Sequence, residues 1–100
     1  MPKIQVEVQY SIAQHIAIER IKGLLNQLKT DYADMIDDLR ETWDGNHSVF
    51  SFKAMGMSVE GQILVEHQLV SLNGKIPVAA LPFKSKIENK IKDEAIRLLS

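Results

Sequence analysis

The side chains best suited to acid–base or metal chemistry in this sequence are the histidines His15, His47 and His67. No two of them lie at the short spacings that bring metal ligands together along a helix or hairpin. Glu66 directly precedes His67, but neighbouring residues of a strand point to opposite faces of a sheet. The histidine positions therefore favour structural or solvent-exposed roles over a metal site.

The carboxylates, glycines and serines form no catalytic pattern either. Asp37 and Asp38 are adjacent, yet adjacent residues of a helix do not face each other. The glycines of the second half match no G-x-G-x-x-G phosphate loop, and no serine lies in a nucleophile elbow. The sequence has no cysteine, which excludes disulfides and thiolate chemistry. We therefore predict that the protein is not an enzyme and has no catalytic residues, cofactor or metal.

An aromatic cluster is the first of two candidate binding surfaces. Trp43, Phe50, Phe52 and Met57 lie on or beside predicted strands, where they could line an apolar cavity for a ligand. The alternative is that these side chains form part of an ordinary core.

A basic helical face is the second candidate. Lys84, Lys86, Lys90 and Lys92 lie on the last predicted helix beside an apolar stripe, a pattern that can lie on an anionic or apolar interface. The alternative is that the stripe packs on the sheet and the lysines face water.

Length and charge limit the number of domains and the kinds of partner that the protein could have. One hundred residues support one core, so we predict a single domain, 1–100. A formal net charge of −1 gives no reason to expect nucleic acid as a partner. The N-terminus alternates polar and apolar residues, unlike a signal peptide, and no stretch approaches the roughly 20 apolar residues of a transmembrane segment. We expect a cytoplasmic protein.

The first half of the sequence predicts a strand and a long helix. Alternating apolar residues from Ile4 to Tyr10 indicate a half-buried strand. Apolar residues then recur at helical spacing, and the spacing continues beyond Thr30, so we predict one helix from about Ile12 to Arg40. Thr30 and Asp31 leave open a break there, with a second helix capped by them.

The second half predicts three strands and a helix. A turn at Asp44–His47 precedes strands over 49–54, 57–66 and 69–72, and Pro82 starts an amphipathic helix. The predicted fold is α+β: a strand, a long helix, a three-stranded antiparallel meander and a C-terminal helix, with the helices packed on one face of the antiparallel sheet. Because small sheets have edges to cover, a homodimer is plausible.

Short motifs across the second half carry a resemblance to a known family. They are Trp43-Asp44-Gly45-Asn46, Phe50-Ser51-Phe52-Lys53-Ala54, Gly56, Gly61, and Leu81-Pro82-Phe83-Lys84 with Ile87-Glu88. The chain resembles the polyhydroxyalkanoic acid system protein family, also called the polyhydroxyalkanoate granule-region family, over nearly its whole length. Ile76-Pro77 stands where Leu-Pro is expected, a mild change that leaves the turn intact.

This resemblance implies a non-enzymatic accessory protein of polyhydroxyalkanoate (storage polyester) metabolism. The implied partners are the storage granule or a granule-associated protein, and the implied location is the granule surface. The family offers no catalytic residues to carry over to this sequence. The alternative is a small-molecule or lipid carrier with an apolar cavity, because the order of elements is also similar to that of helix-grip proteins.

Overall fold

The computed structural model describes residues 2–100, which form one five-stranded antiparallel sheet with helices on one face. The elements in chain order are β1 (Lys3–Gln9), α1 (Gln14–Ile21), α2 (Leu24–Asp31), β2 (Ile36–Asp44), β3 (His47–Ala54), β4 (Met57–Glu66), β5 (Leu69–Lys75), a 3₁₀ segment (Val78–Phe83) and α3 (Lys84–Leu99). The strand order is β1-β5-β4-β3-β2. The predicted α+β class and the packing of helices against the antiparallel sheet are confirmed.

The core lies between the sheet and the helices. Val6 of β1 is opposite Leu72 of β5, and Leu72 is opposite Ile63 of β4, so that one apolar row crosses three strands. Each helix adds its apolar side to this layer, because burying that side is what stabilises a short amphipathic helix. The buried helical residues are Ala17 and Ile21 of α1, Leu24 and Leu25 of α2, and Ile91, Ala95 and Leu99 of α3.

The predicted long helix from Ile12 to Arg40 is wrong. The helix is interrupted at Lys22–Gly23 and ends at Asp31, and the alternative second helix after Thr30 does not form either. The segment 36–44 is instead the edge strand β2, so the meander has four strands rather than three.

The physical reason lies in pairing with β3. Tyr32, Met35, Ile36 and Leu39 continue the helical spacing from Leu28, which is the pattern that predicted the helix. Leu39, Glu41 and Trp43 alternate at period two, so the same segment also fits a strand. Backbone hydrogen bonds between this segment and β3 select the strand over the helix. Asp38, at φ 55°, lies in a β-bulge between Asp37 and Arg40, which further hides the alternation in the sequence.

The predicted strand over 57–66 forms with those bounds, and the strand predicted over 49–54 begins two residues earlier, at His47. The last helix begins at Lys84 rather than at Pro82, which lies in the 3₁₀ segment. Gly45 has a φ of 61° in the two-residue hairpin between Asp44 and His47, a conformation that glycine adopts without strain. The strand predicted over 69–72 is longer and reaches Lys75. Its end lies beside β1, where Ile76 donates its backbone N–H to the carbonyl oxygen of Pro2 at 2.9 Å.

Candidate functional site

The predicted aromatic cluster lies on the helix-covered face of the sheet. Trp43, Phe50, Phe52 and Met57 occupy three neighbouring strands, and their register positions all point to this face. Phe50 is only 3% exposed, whereas the other three are half-buried. The Phe50 and Phe52 rings stack with centroids 6.2 Å apart. The sheet therefore places the four residues on one face without bringing them all together. Phe50 and Phe52 are in contact, whereas Trp43 lies opposite Ser48 and Met57 lies opposite Ala54, near the two ends of β3.

Phe50 is held by a glycine on the neighbouring strand. A Cβ atom on Gly61 would lie 2.7 Å from Cζ of Phe50 and 2.4 Å from the backbone oxygen of Asn73. No side chain fits at such distances, so only glycine at position 61 leaves room for the Phe50 ring and the backbone of Asn73. This contact gives Phe50 a packing role.

A polar group of three side chains lies on the same face: Trp43 itself and, beside it, Ser48 and Glu41. Trp43 is directly opposite Ser48 in the β2–β3 pairing, and Glu41 is two residues before Trp43. Trp43 Nε1, Ser48 Oγ and Glu41 Oε2 are buried without a hydrogen-bond partner among residues 2–100. Buried polar atoms normally find partners. The Trp43 N–H lies close enough to the Glu41 carboxylate to favour its charged form, although the two make no well-formed hydrogen bond, and Ser48 Oγ has no partner at all among the described residues. This group therefore marks a place suited to a small polar molecule.

Two ionisable side chains determine the charge at this polar group: Glu41, which belongs to it, and Lys22, which lies next to Trp43. Burial raises the pKa of the Glu41 carboxyl above its ordinary value, and the neighbouring Trp43 N–H offsets this only in part. Lys22, at the junction of α1 and α2, places its Nζ 5.8 Å from the centre of the Trp43 ring. This is the geometry of a cation–π contact, with the Lys22 ammonium over one face of the indole.

The predicted basic face of α3 points to solvent. Lys86, Lys90 and Lys92 are exposed and Lys84 is half-buried, while the opposite side of α3 is buried against the sheet and α1. The apolar stripe of α3 therefore belongs to the core, and the lysines remain available to a partner.

An apolar surface that the sequence pattern did not predict lies just before α3. The 3₁₀ segment has no buried residue, and Val78, Leu81 and Phe83 are 69%, 48% and 59% exposed. The sequence feature that could have predicted this surface is the apolar run between Pro77 and Pro82, which has neither helical nor strand periodicity.

Two further exposed residues lie at the same end of the sheet. Glu60, near the start of β4, pairs with Lys75, the last residue of β5. The turn before β4, which follows Ala54, therefore lies at the same end of the sheet as the segment after β5. In that turn Met55 donates its N–H to the backbone oxygen of Met35, and both side chains are exposed. We call Met35, Met55, Val78, Leu81 and Phe83 the apolar end.

The face of the sheet away from the helices is polar and concave. The register aligns two rows of side chains across all five strands of this face. The basic row is Lys3, Lys75, Glu60, Ser51 and Arg40, and the amide row is Gln5, Asn73, Gln62, Val49 and Thr42. A depression of about 750 Å³ is lined by the whole basic row and by four residues of the amide row, all except Gln5. These rows depend on strand order, which the sequence does not reveal.

The histidines lie on three different elements: His15 on α1, His47 at the start of β3 and His67 in the turn after β4. His15 and His67 are exposed, and His47 Nε2 lies 2.9 Å from Oε1 of Gln62 on the open face of the sheet. Across residues 2–100 no group of three or more histidine or acidic side chains is placed to hold a metal ion. In the same range no helix is long and apolar enough to cross a membrane.

The fold is that of a small α+β protein built on a five-stranded antiparallel sheet with helices on one face. The chain belongs to the family described as "Putative polyhydroxyalkanoic acid system protein", whose model matches residues 4–99. The resemblance seen in the sequence motifs is thereby confirmed. No curated protein matches the chain.

Proposed function

We propose that this protein is a non-enzymatic accessory protein of storage-polyester metabolism that works in the cytoplasm at the surface of the polymer granule. Its partners are the polymer itself or a granule-associated protein. Membership of the polyhydroxyalkanoic acid system family supports the metabolic context. The observation that carries the proposal of surface binding is the apolar end.

The apolar end has the composition of an interfacial contact. Val78, Leu81 and Phe83 are each about half exposed or more within six residues, although a folded domain of this size normally buries most such side chains. Lys84 and Lys86 follow directly, and their long side chains keep the ammonium groups in water while the stems lie along an apolar surface. Burial of the three apolar side chains against a polymer or protein would stabilise the bound state.

Co-sedimentation with isolated granules tests this proposal. The purified protein should sediment with polyester granules, and Leu81→Ser with Phe83→Ser should reduce the bound fraction strongly. Ile96→Ser is the matched control, because Ile96 is 43% exposed but lies near the far end of α3. Equal binding by the control and the double variant would show that the apolar end is not the contact.

Fractionation of cells tests the location independently. In cells that accumulate polymer, the protein should be recovered with the granules or with a granule-associated protein. Recovery only in the granule-free fraction, without any granule protein bound, would contradict the proposal.

A small-molecule carrier is the second candidate function, and the polar group beside Trp43 favours it. A ligand held between α2 and β2 would complete the hydrogen bonding of Trp43 Nε1 and Ser48 Oγ. Trp43 is the only tryptophan, so its fluorescence reports directly on this position. Titration with short-chain hydroxy acids and fatty acids should shift the emission if the protein is a carrier; an unchanged spectrum with all of them would argue against it.

A further inference from the structure

We propose that the concave open face of the sheet binds the carboxylate end of a short hydroxyalkanoic acid oligomer. The proposal rests on the proposed link to storage-polyester metabolism, and it concerns a surface distinct from the apolar end. The basic row would bind the terminal carboxylate, and the amide row would bind the adjoining ester carbonyl.

The basic row carries more positive than negative charge. Lys3 is directly opposite Lys75, an arrangement of like charges that destabilises a sheet unless something compensates it. Lys75 is also opposite Glu60, and Arg40 lies 3.5 Å from Asp38. Lys3 has no carboxylate opposite it in the register, so it is the cation of this row best placed to bind a monoanion. A free carboxylate on Lys3 and Lys75 would remove the repulsion between them.

The amide row supplies hydrogen-bond donors at the centre of the depression. Ester carbonyls only accept hydrogen bonds, so their binding site needs side chains with N–H or O–H groups. Asn73 and Gln62 are opposite each other on β5 and β4, and Thr42 lies farther along the row. His47 Nε2 lies 2.9 Å from Oε1 of Gln62, which leaves the Gln62 NH₂ group free to donate. Val49, exposed in the same row, offers contact to the alkyl part of the ligand.

The spacing of the two rows matches a chain rather than a single acid group. Residues two apart in a strand are about 7 Å apart, so a ligand contacting both rows needs its carboxylate and a carbonyl separated by roughly that distance. A depression of about 750 Å³ has room for several such units. An oligomer with one free carboxylate and internal esters has both groups in the required order.

Titration with the linear trimer of 3-hydroxybutanoic acid, followed by ¹H–¹⁵N NMR, tests the proposal. We expect shifts of the side-chain amides of Asn73 and Gln62 and of the backbone amides along both rows. Lys3→Gln should weaken binding about threefold to fivefold, the upper range for an exposed ion pair. Lys92→Gln is the matched control, because it removes the same charge from an exposed position of α3 and should leave binding unchanged.

Two probes separate the roles of the rows. The methyl ester of the trimer lacks the carboxylate and should bind more weakly. Butanoate has the carboxylate but no ester, and it should also bind more weakly than the trimer. Equal affinity of butanoate and the trimer would overturn the role of the amide row, and equal affinity of the ester would overturn that of the basic row.

The NMR titration tests ligand binding at the open face independently of whether the protein associates with granules. Absence of shifts on the open face, or shifts confined to Trp43 or the apolar end, would overturn this proposal even if the protein sediments with granules. Shifts on the open face in a protein that never associates with granules would support this proposal and contradict the proposed location. The dispersion of each NMR spectrum shows whether a variant is folded.

Discussion

The Glu88 carboxylate of α3 accepts a hydrogen bond from the backbone N–H of Gln5 on the edge strand β1, with Oε2 2.8 Å from the nitrogen. Edge strands expose unpaired N–H groups that invite pairing with another chain. Glu88 occupies one of these groups and joins the last helix to the first strand. A residue of the family motif Ile87-Glu88 thus ties the two ends of the chain together.

Removal of this contact should destabilise the fold moderately. We expect Glu88→Ala to lower the free energy of unfolding by about 1 kcal/mol, because a hydrogen bond to a charged acceptor is lost while water can still reach the exposed N–H. Urea denaturation measures the loss. Glu19→Ala, at an exposed position of α1, is the control, and an equal loss there would show that Glu88 contributes only helix propensity.

Two glycines should respond to alanine with opposite signs. Gly61→Ala places a Cβ 2.4 Å from the Asn73 oxygen, so we expect a loss of about 3 kcal/mol or more, at or beyond the upper range for overpacked sites. Gly23 has a φ of −86°, and its nearest contact for a Cβ is at 3.4 Å, so Gly23→Ala should stabilise by about 0.4–1 kcal/mol. Thermal unfolding checks both, and a tolerated Gly61→Ala would contradict the close packing of Phe50.

The burial of Glu41 predicts a pH dependence. Because the pKa of Glu41 is raised in the folded state, ionised Glu41 disfavours folding above that pKa. The penalty disappears as the pH falls toward 4.5, the ordinary pKa of the carboxyl. Glu41→Gln should therefore raise the melting temperature at pH 7, and the gain should vanish near pH 4. A gain of the same size at both pH values would mean that the charge is not responsible. Glu19→Gln serves as the exposed control.

Substitution of two phenylalanines should change the free energy of unfolding by very different amounts, because one is exposed and the other is buried. Phe83 is 59% exposed, so Phe83→Ser should change stability by no more than about 0.5 kcal/mol. Phe50 is 3% exposed, and Phe50→Ala should cost about 3–5 kcal/mol. Chemical denaturation distinguishes the two. A large loss in Phe83→Ser would mean that the apolar end is part of the core and not a free surface.

The homodimer suggested by the sheet edges stays a prediction. Helix α3 occupies part of the β1 edge through Glu88, and β2 is an edge with a bulge and several charged residues. Both devices oppose pairing with another chain. Sedimentation at increasing concentration tests the dimer, and a monomer throughout would refute it.

The sequence by itself determined the elements whose patterns have one interpretation. The alternation from Ile4 to Val8 could only bury one face of a strand, and Asp44-Gly45-Asn46-His47 could only form a tight turn. The apolar stripe of α3 likewise indicated a helix against the core. These are local signals, in which the spacing of side chains directly matches the geometry of the backbone.

Only the tertiary structure decided the rest. Residues 36–44 fit both a helix and a strand, and the β3 strand that pairs with them selected the strand. The two rows of the open face bring together residues as distant in sequence as Lys3 and Lys75. Strand order and register create these surfaces through long-range hydrogen bonds, and no local spacing in the chain encodes them.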